Sequence, residues 1–155
     1  MFLVQDSSPA REQRIQKLLA EDPSLSALLS VIHFEWTVRR SIIALGTSPN
    51  VEIRAKLDGC HGCKAYKNLW KEEVFPNVNQ LLPDVINDWN GLLKAFRLRH
   101  RLVHGVSSCG LTYATERVEW AIDACQNIRE LCITHKIDLD ARLPRYSQIW
   151  CMSQS

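Results

Sequence analysis

Three arginines and two histidines crowd into nine residues, Arg97-Leu98-Arg99-His100-Arg101-Leu102-Val103-His104-Gly105. Histidine titrates near neutral pH and can take or give a proton. Arginine holds an anion through a planar set of donors. Proton transfer beside a bound anion is therefore the chemistry these residue types allow. Helix electrostatics explain part of the crowding, because cations at a helix C-terminus interact well with the macrodipole and the free carbonyls. That accounts for one or two of the five cations. It does not account for two of them being histidine, or for His104 adjoining an apolar stripe.

Helical geometry ranks the candidates. At about 100° per residue, His104 falls close in azimuth to Arg97 and on one face with His100 and Arg101. Arg99 falls on the other border of the expected stripe of Ile86, Trp89, Leu93 and Phe96. Two such helices meeting across an interface would turn both borders toward one cleft. An earlier segment, His33-Phe34-Glu35-Trp36-Thr37-Val38-Arg39-Arg40, brings a second charged group into an otherwise apolar run. Glu35 and Arg39 stand four residues apart and can pair along one helix. The other reading has Glu35 facing the motif, where it would orient His104 or Arg99.

Cys60-His61-Gly62-Cys63 is a second candidate. Haem attachment needs His directly after the second Cys, and Lys64 stands there. A thioredoxin-like pair needs a preceding strand, and none is expected. A zinc site needs two further ligands, and no second Cys-x-x-Cys or His-x-x-x-His follows. A metal shared between subunits stays open; the expectation is no metal and no cofactor. Cys109, Cys125 and Cys132 read as small core hydrophobes. Lys64, Lys67 and Lys71 with Tyr66 and Trp70 read as a solvated helix face around buried aromatics, or as an RNA contact.

The elements that must position these residues are helices. The six glycines and six prolines fall at segment ends. A first helix is expected from about Pro9, capped by Ser8, through Leu19. A second runs from the Asp22-Pro23 cap to Gly46, carrying Leu25, Leu28, Leu29, Ile32, Trp36, Ile42 and Ile43. Short helices follow from Ser48-Pro49 to Gly59, and from Lys64 to Val74. A long helix is expected from about Pro83 to Val103, and another from about Thr112 to His135 with Val118, Ile122, Cys125, Ile128 and Leu131 inward. Ile149 and Trp150 in the tail are expected to dock on the core. No period-2 run is long enough for a strand.

Together these predict an all-α, single-domain, up-and-down bundle of four to five main helices with short additional ones. It spans residues 1–155, with a core of about 20–135 and a tail of 136–155. The apolar share of 46% supports a core without disulfides. A net charge of +2 excludes a strong global field for nucleic acid, so any anion site must be local. No apolar stretch is long enough to span a membrane. Met1 to Asp6 lacks a basic leader and does not read as a signal peptide. A cytoplasmic location is the default expectation.

Arg99-His100-Arg101-Leu102-Val103-His104 resembles the HEPN motif: Arg, a polar residue, three others, then His. Gly105 and the helical frame of residues 20–135 resemble that family too. The resemblance implies a helical bundle that dimerises, with Arg and His meeting in a cleft at the dimer interface. It implies metal-independent RNA cleavage leaving a cyclic phosphate end, in a toxin, an antiviral effector or an RNA-processing factor, with an antitoxin or other protein partner. Some members have lost catalysis and act as binding modules, and some use an acidic or polar residue on an earlier helix. On this reading His104 is the general acid/base and Arg99 holds the scissile phosphate. His100 and Glu35 complete the catalytic set, and Arg97, Arg101, Arg39 and Arg40 contact substrate. The rival readings are a non-catalytic helical module binding a partner protein or nucleotide through the same surface, and a protein whose working pair is Cys60 and Cys63.

Overall fold

A computed structural model describes residues 6–105 and 108–143. The described residues form eight helices and no strand. These are α1 (Ser8–Leu18), α2 (Pro23–Leu45), α3 (Asn50–Asp58), α4 (Gly62–Glu73), α5 (Phe75–Val78), α6 (Leu82–Val85), α7 (Trp89–Val103) and α8 (Leu111–Thr134). The all-α class read from the sequence is what folds. No helix among the described residues is long and apolar enough to cross a membrane.

Local chemistry sets the boundaries. The Ser7 hydroxyl caps α1 by accepting from the Ala10 N–H at 3.4 Å, one residue earlier than the expected Ser8 cap. Ser8 instead accepts from the Arg11 guanidinium at 3.1 Å. The Asp22 carboxylate accepts from the Leu25 N–H at 3.0 Å at the head of α2, and Gly46 follows its end. Asn79, at φ 55°, caps α5 in the left-handed region.

The expected long helix from Pro83 is two helices. Ile86 adopts an extended φ −90°, ψ 120° at the end of α6, and the Asp88 carboxylate then accepts from the Gly91 N–H at 2.7 Å to start α7. Asp competes for backbone donors and so favours a new N-cap over continuation of the helix. Restarting at Trp89 also turns the buried face of α7. Gly91, Leu92, Ala95 and Leu98 are buried, while Trp89, Leu93 and Phe96 of the expected stripe are half-buried.

The contacts group the chain into two compact units. The first takes in the chain up to Glu35 together with Asp88–Cys125. Its core joins Ile15, Ala27, Leu98, Ala114, Val118 and Ile122. Phe34 and Phe96 meet edge to face with ring centroids 5.7 Å apart. Trp120 lies so close to Gly91 that a Cβ there would stand 2.5 Å from its ring. The second unit takes in Trp36–Asn87 and the chain from Gln126 onward. Its buried residues include Ile42, Ile53, Leu57, Tyr66, Trp70, Leu82, Ile128 and Cys132. Burial of Ile15, Ile137 and Leu139 carries the core beyond the expected 20–135 at both ends. The expected docking of Ile149 and Trp150 lies outside the described residues.

Candidate functional site

The Arg97–His104 cations occupy the last turns of α7, in the first unit. Apolar burial of Leu92, Ala95 and Leu98 on one face fixes the helix and leaves Arg97, His100 and Arg101 exposed. His104 is the C-cap, its N–H bonding back to the His100 carbonyl at 3.2 Å. Gly105 follows at φ +67°, a conformation L side chains rarely adopt, and ends the helix. This cap places the exposed His104 ring against that of His100, with centroids 4.3 Å apart.

Arg99 points to the other side of α7. Its Nη2 stands 3.7 Å from Glu35 Oε2 on α2. Of the two expected partners of Glu35 on the motif, the ion pair is with Arg99. The Arg99 Nε is buried and has no hydrogen-bond partner among the described residues. The structure thus pairs Arg99 with Glu35 and His100 with His104, and Arg97 remains on the exposed face.

Arg101 lines a cavity of about 250 Å³ with Leu98, Ser108, Cys109, Gly110 and Tyr113. The Arg117 guanidinium lies over the Tyr113 ring, 3.2 Å from its centroid. Neither Tyr113 nor Arg117 carries a spacing signature, so sequence reading passed over both. Large apolar side chains are exposed at the helix ends flanking the motif: Val103 at 57%, Leu111 at 53% and Tyr113 at 42%.

Arg39 and Arg40 fall in the second unit and bind backbone there. Arg39 donates to the Leu57 carbonyl at 3.0 Å and to the Tyr66 hydroxyl at 3.4 Å. Arg40 donates to the Leu139 and Ala141 carbonyls at 2.7 and 2.6 Å and lies over the Trp36 ring. Burial holds its pKa below the ordinary arginine value. Arg39 thus ties α3 and α4 to α2, and Arg40 ties the segment after α8 to it.

Cys60 and Cys63 are buried thiols at the head of α4, while His61 is exposed. Burial raises the Cys60 pKa, the opposite of what a reactive thiolate needs. Cys125 and Cys132 are fully buried on α8, and burial pushes the Cys132 thiol up to about 12. Cys109 is half-buried beside the Ser24 hydroxyl. Lys64, Lys67 and Lys71 are exposed, but Tyr66 and Trp70 are buried and so unavailable for stacking on bases.

Two further polar clusters escaped the sequence reading. Glu73 is buried in the second unit and accepts from Thr47 Oγ1, the Ser48 N–H and hydroxyl, and Lys56 Nζ. In the first unit, ligand atoms of Glu12, His33 and Cys125 lie within 4.8 Å of one another. These three come from α1, α2 and α8, so no local motif announces them.

Compared with known proteins, the chain matches no family model, no curated protein and no solved structure.

Proposed function

We propose that the chain is a metal-independent endoribonuclease of HEPN type, acting as a homodimer through the C-terminal end of α7. The observation that carries this reading is the state of Arg99. Glu35 holds one edge of its guanidinium at 3.7 Å, while a buried Nε–H has no acceptor among the described residues. A buried donor without a partner points to a role beyond packing, and a phosphate oxygen suits it.

The chemistry follows from the side chains. The RNA 2′-OH attacks the adjacent phosphorus, which then carries extra negative charge. Arg99 meets that charge with its planar donors. His104 takes the 2′-OH proton or protonates the leaving 5′ oxygen, its exposure leaving it open to substrate. The His100 ring lies tilted against it, with centroids 4.3 Å apart, and carries the complementary transfer on this reading. Glu35 positions Arg99. Arg97 and Arg101 are exposed for backbone phosphates, Arg101 at the cavity it lines with Tyr113. Exposed Val103 and Leu111 beside the motif supply apolar surface for a second copy. That arrangement would bring two motifs to one cleft.

The test is cleavage of a labelled RNA pool in EDTA, under conditions where the circular dichroism is unchanged, with His104→Ala alongside. Cleavage by the wild type that disappears in the variant is expected. Tight nucleotide or partner binding through the same surface, with no cleavage by the wild-type dimer, would replace the enzyme by a binding module.

A further inference from the structure

Glu12, His33 and Cys125 converge from three helices in the core of the first unit, and all three are buried, at 5%, 1% and 0% relative exposure. His33 Nε2 and Glu12 Oε1 are 3.0 Å apart, and the three ligand atoms fit within 4.8 Å of one another. We infer that these residues form a binding site for a divalent metal ion of the zinc class.

Three arguments carry it. The first is donor type: imidazole nitrogen, thiolate sulfur and carboxylate oxygen are the three side-chain donors that zinc takes. The second is charge. A carboxylate and a thiolate together neutralise a divalent cation, and buried charges are normally paired or coordinated to a metal. The third is distance. Donors about 2.0–2.3 Å from a tetrahedral ion lie roughly 3.3–3.8 Å from one another. The His33–Glu12 contact need open only slightly, and the widest separation need close by about an ångström, within the reach of side-chain adjustment. The three side chains supply three donors, the number found in zinc sites that keep one open position. Binding requires the Cys125 thiol to lose its proton, which leaves to solvent. Because the ligands bridge α1, α2 and α8, the ion would pin three helices of one core and its binding energy would add to folding.

The inference stands apart from the ribonuclease reading, and its test uses no RNA. Purified protein is stripped of metal and titrated with cobalt(II), which reports thiolate coordination as a charge-transfer band in the near ultraviolet. One cobalt per chain with that band, and a higher melting temperature with zinc, are expected. Cys125→Ala is expected to lose the band. Should it not fold, Cys125→Ser makes the same test. A Cys60→Ser/Cys63→Ser double variant is expected to keep the band. No cobalt binding by the wild type, a band that survives in the Cys125 variant, or a band lost in the double variant would each overturn the site.

Discussion

In the second unit the Glu73 carboxylate accepts from Thr47, from Ser48 twice and from Lys56. In the first unit the Arg99 guanidinium has Glu35 at 3.7 Å and a buried Nε–H with no acceptor among the described residues. Both are charged groups drawn in from solvent, and they are finished differently. Glu73, at the end of α4, is enclosed by donors from the α2–α3 connection and from α3, so its charge holds those segments together. Arg99 is half-enclosed, on the side of α7 away from the exposed His100 and His104. A fully satisfied buried carboxylate serves the fold, whereas a buried donor atom left without an acceptor calls for another role, and a ligand is the one proposed for Arg99. Substitutions in the two regions should therefore divide between stability and activity.

The largest effect should come from Glu73→Ala. Removing one partner of a buried pair costs about 3–5 kcal/mol, and Lys56 at 36% exposure puts this case at the lower end. Urea unfolding measures it, and a loss below about 1 kcal/mol would erase the contrast. The pH dependence gives a second handle. Burial acts to raise the Glu73 pKa, but hydrogen bonds from Lys56, Ser48 and Thr47 outweigh it and hold the value below the usual carboxylate range. The folded pKa is lowered, so the contribution is complete above the unfolded value of about 4.3 and disappears as pH falls through the folded one. Acid titration of stability should show this loss in the wild type and not in Glu73→Gln.

His104→Ala should reduce RNA cleavage about 10²–10⁴-fold, the span of general acid–base catalysis. Its unfolding free energy should stay within about 0.5 kcal/mol of wild type, since the side chain is exposed. Next in size is Arg99→Lys, which keeps the charge toward Glu35 but loses the planar fork. A decrease of about 10²–10³ is expected, as for removal of one anion-stabilising donor, in single-turnover cleavage. Wild-type activity in Arg99→Lys would reassign the phosphate contact to Arg97.

Glu35→Gln should be the mildest. A contact at 3.7 Å with a partner 36% exposed contributes about 0.5 kcal/mol to stability at most. Looser positioning of Arg99 should cost roughly ten- to a hundredfold in cleavage. If stability and cleavage are both unchanged, Glu35 has no part in the site.

Much of this was legible in the sequence because the signals were local. The Asp22-Pro23 cap and Gly46 bracket α2, and Gly105 ends α7. The inward face of α8 follows from helical spacing, with Val118, Ile122, Cys125 and Ile128 buried and Leu131 half-buried. The stop between α6 and α7 was local too, but the apolar pattern through Ile86 and Trp89 masked the Asp88 cap. The α7 stripe was misread for the same reason, since moving the helix start moves its buried face. What could not be read was long-range. Arg39 and Arg40 form an obvious basic pair in sequence, yet their acceptors are carbonyls of Leu57, Leu139 and Ala141. Glu73 looks like any helix-end glutamate until Thr47 and Ser48 arrive beside it. Glu12, His33 and Cys125 carry no shared spacing at all.

The central claim is that the end of α7 serves chemistry and the Glu73 cluster serves the fold. The most direct test measures cleavage of labelled RNA in chelator and thermal unfolding together, for wild type, His104→Ala and Glu73→Gln. The account predicts that His104→Ala melts like wild type and does not cleave. It predicts that Glu73→Gln melts lower and still cleaves at temperatures where it is folded. Cleavage by His104→Ala at the wild-type rate would contradict the assignment of the site.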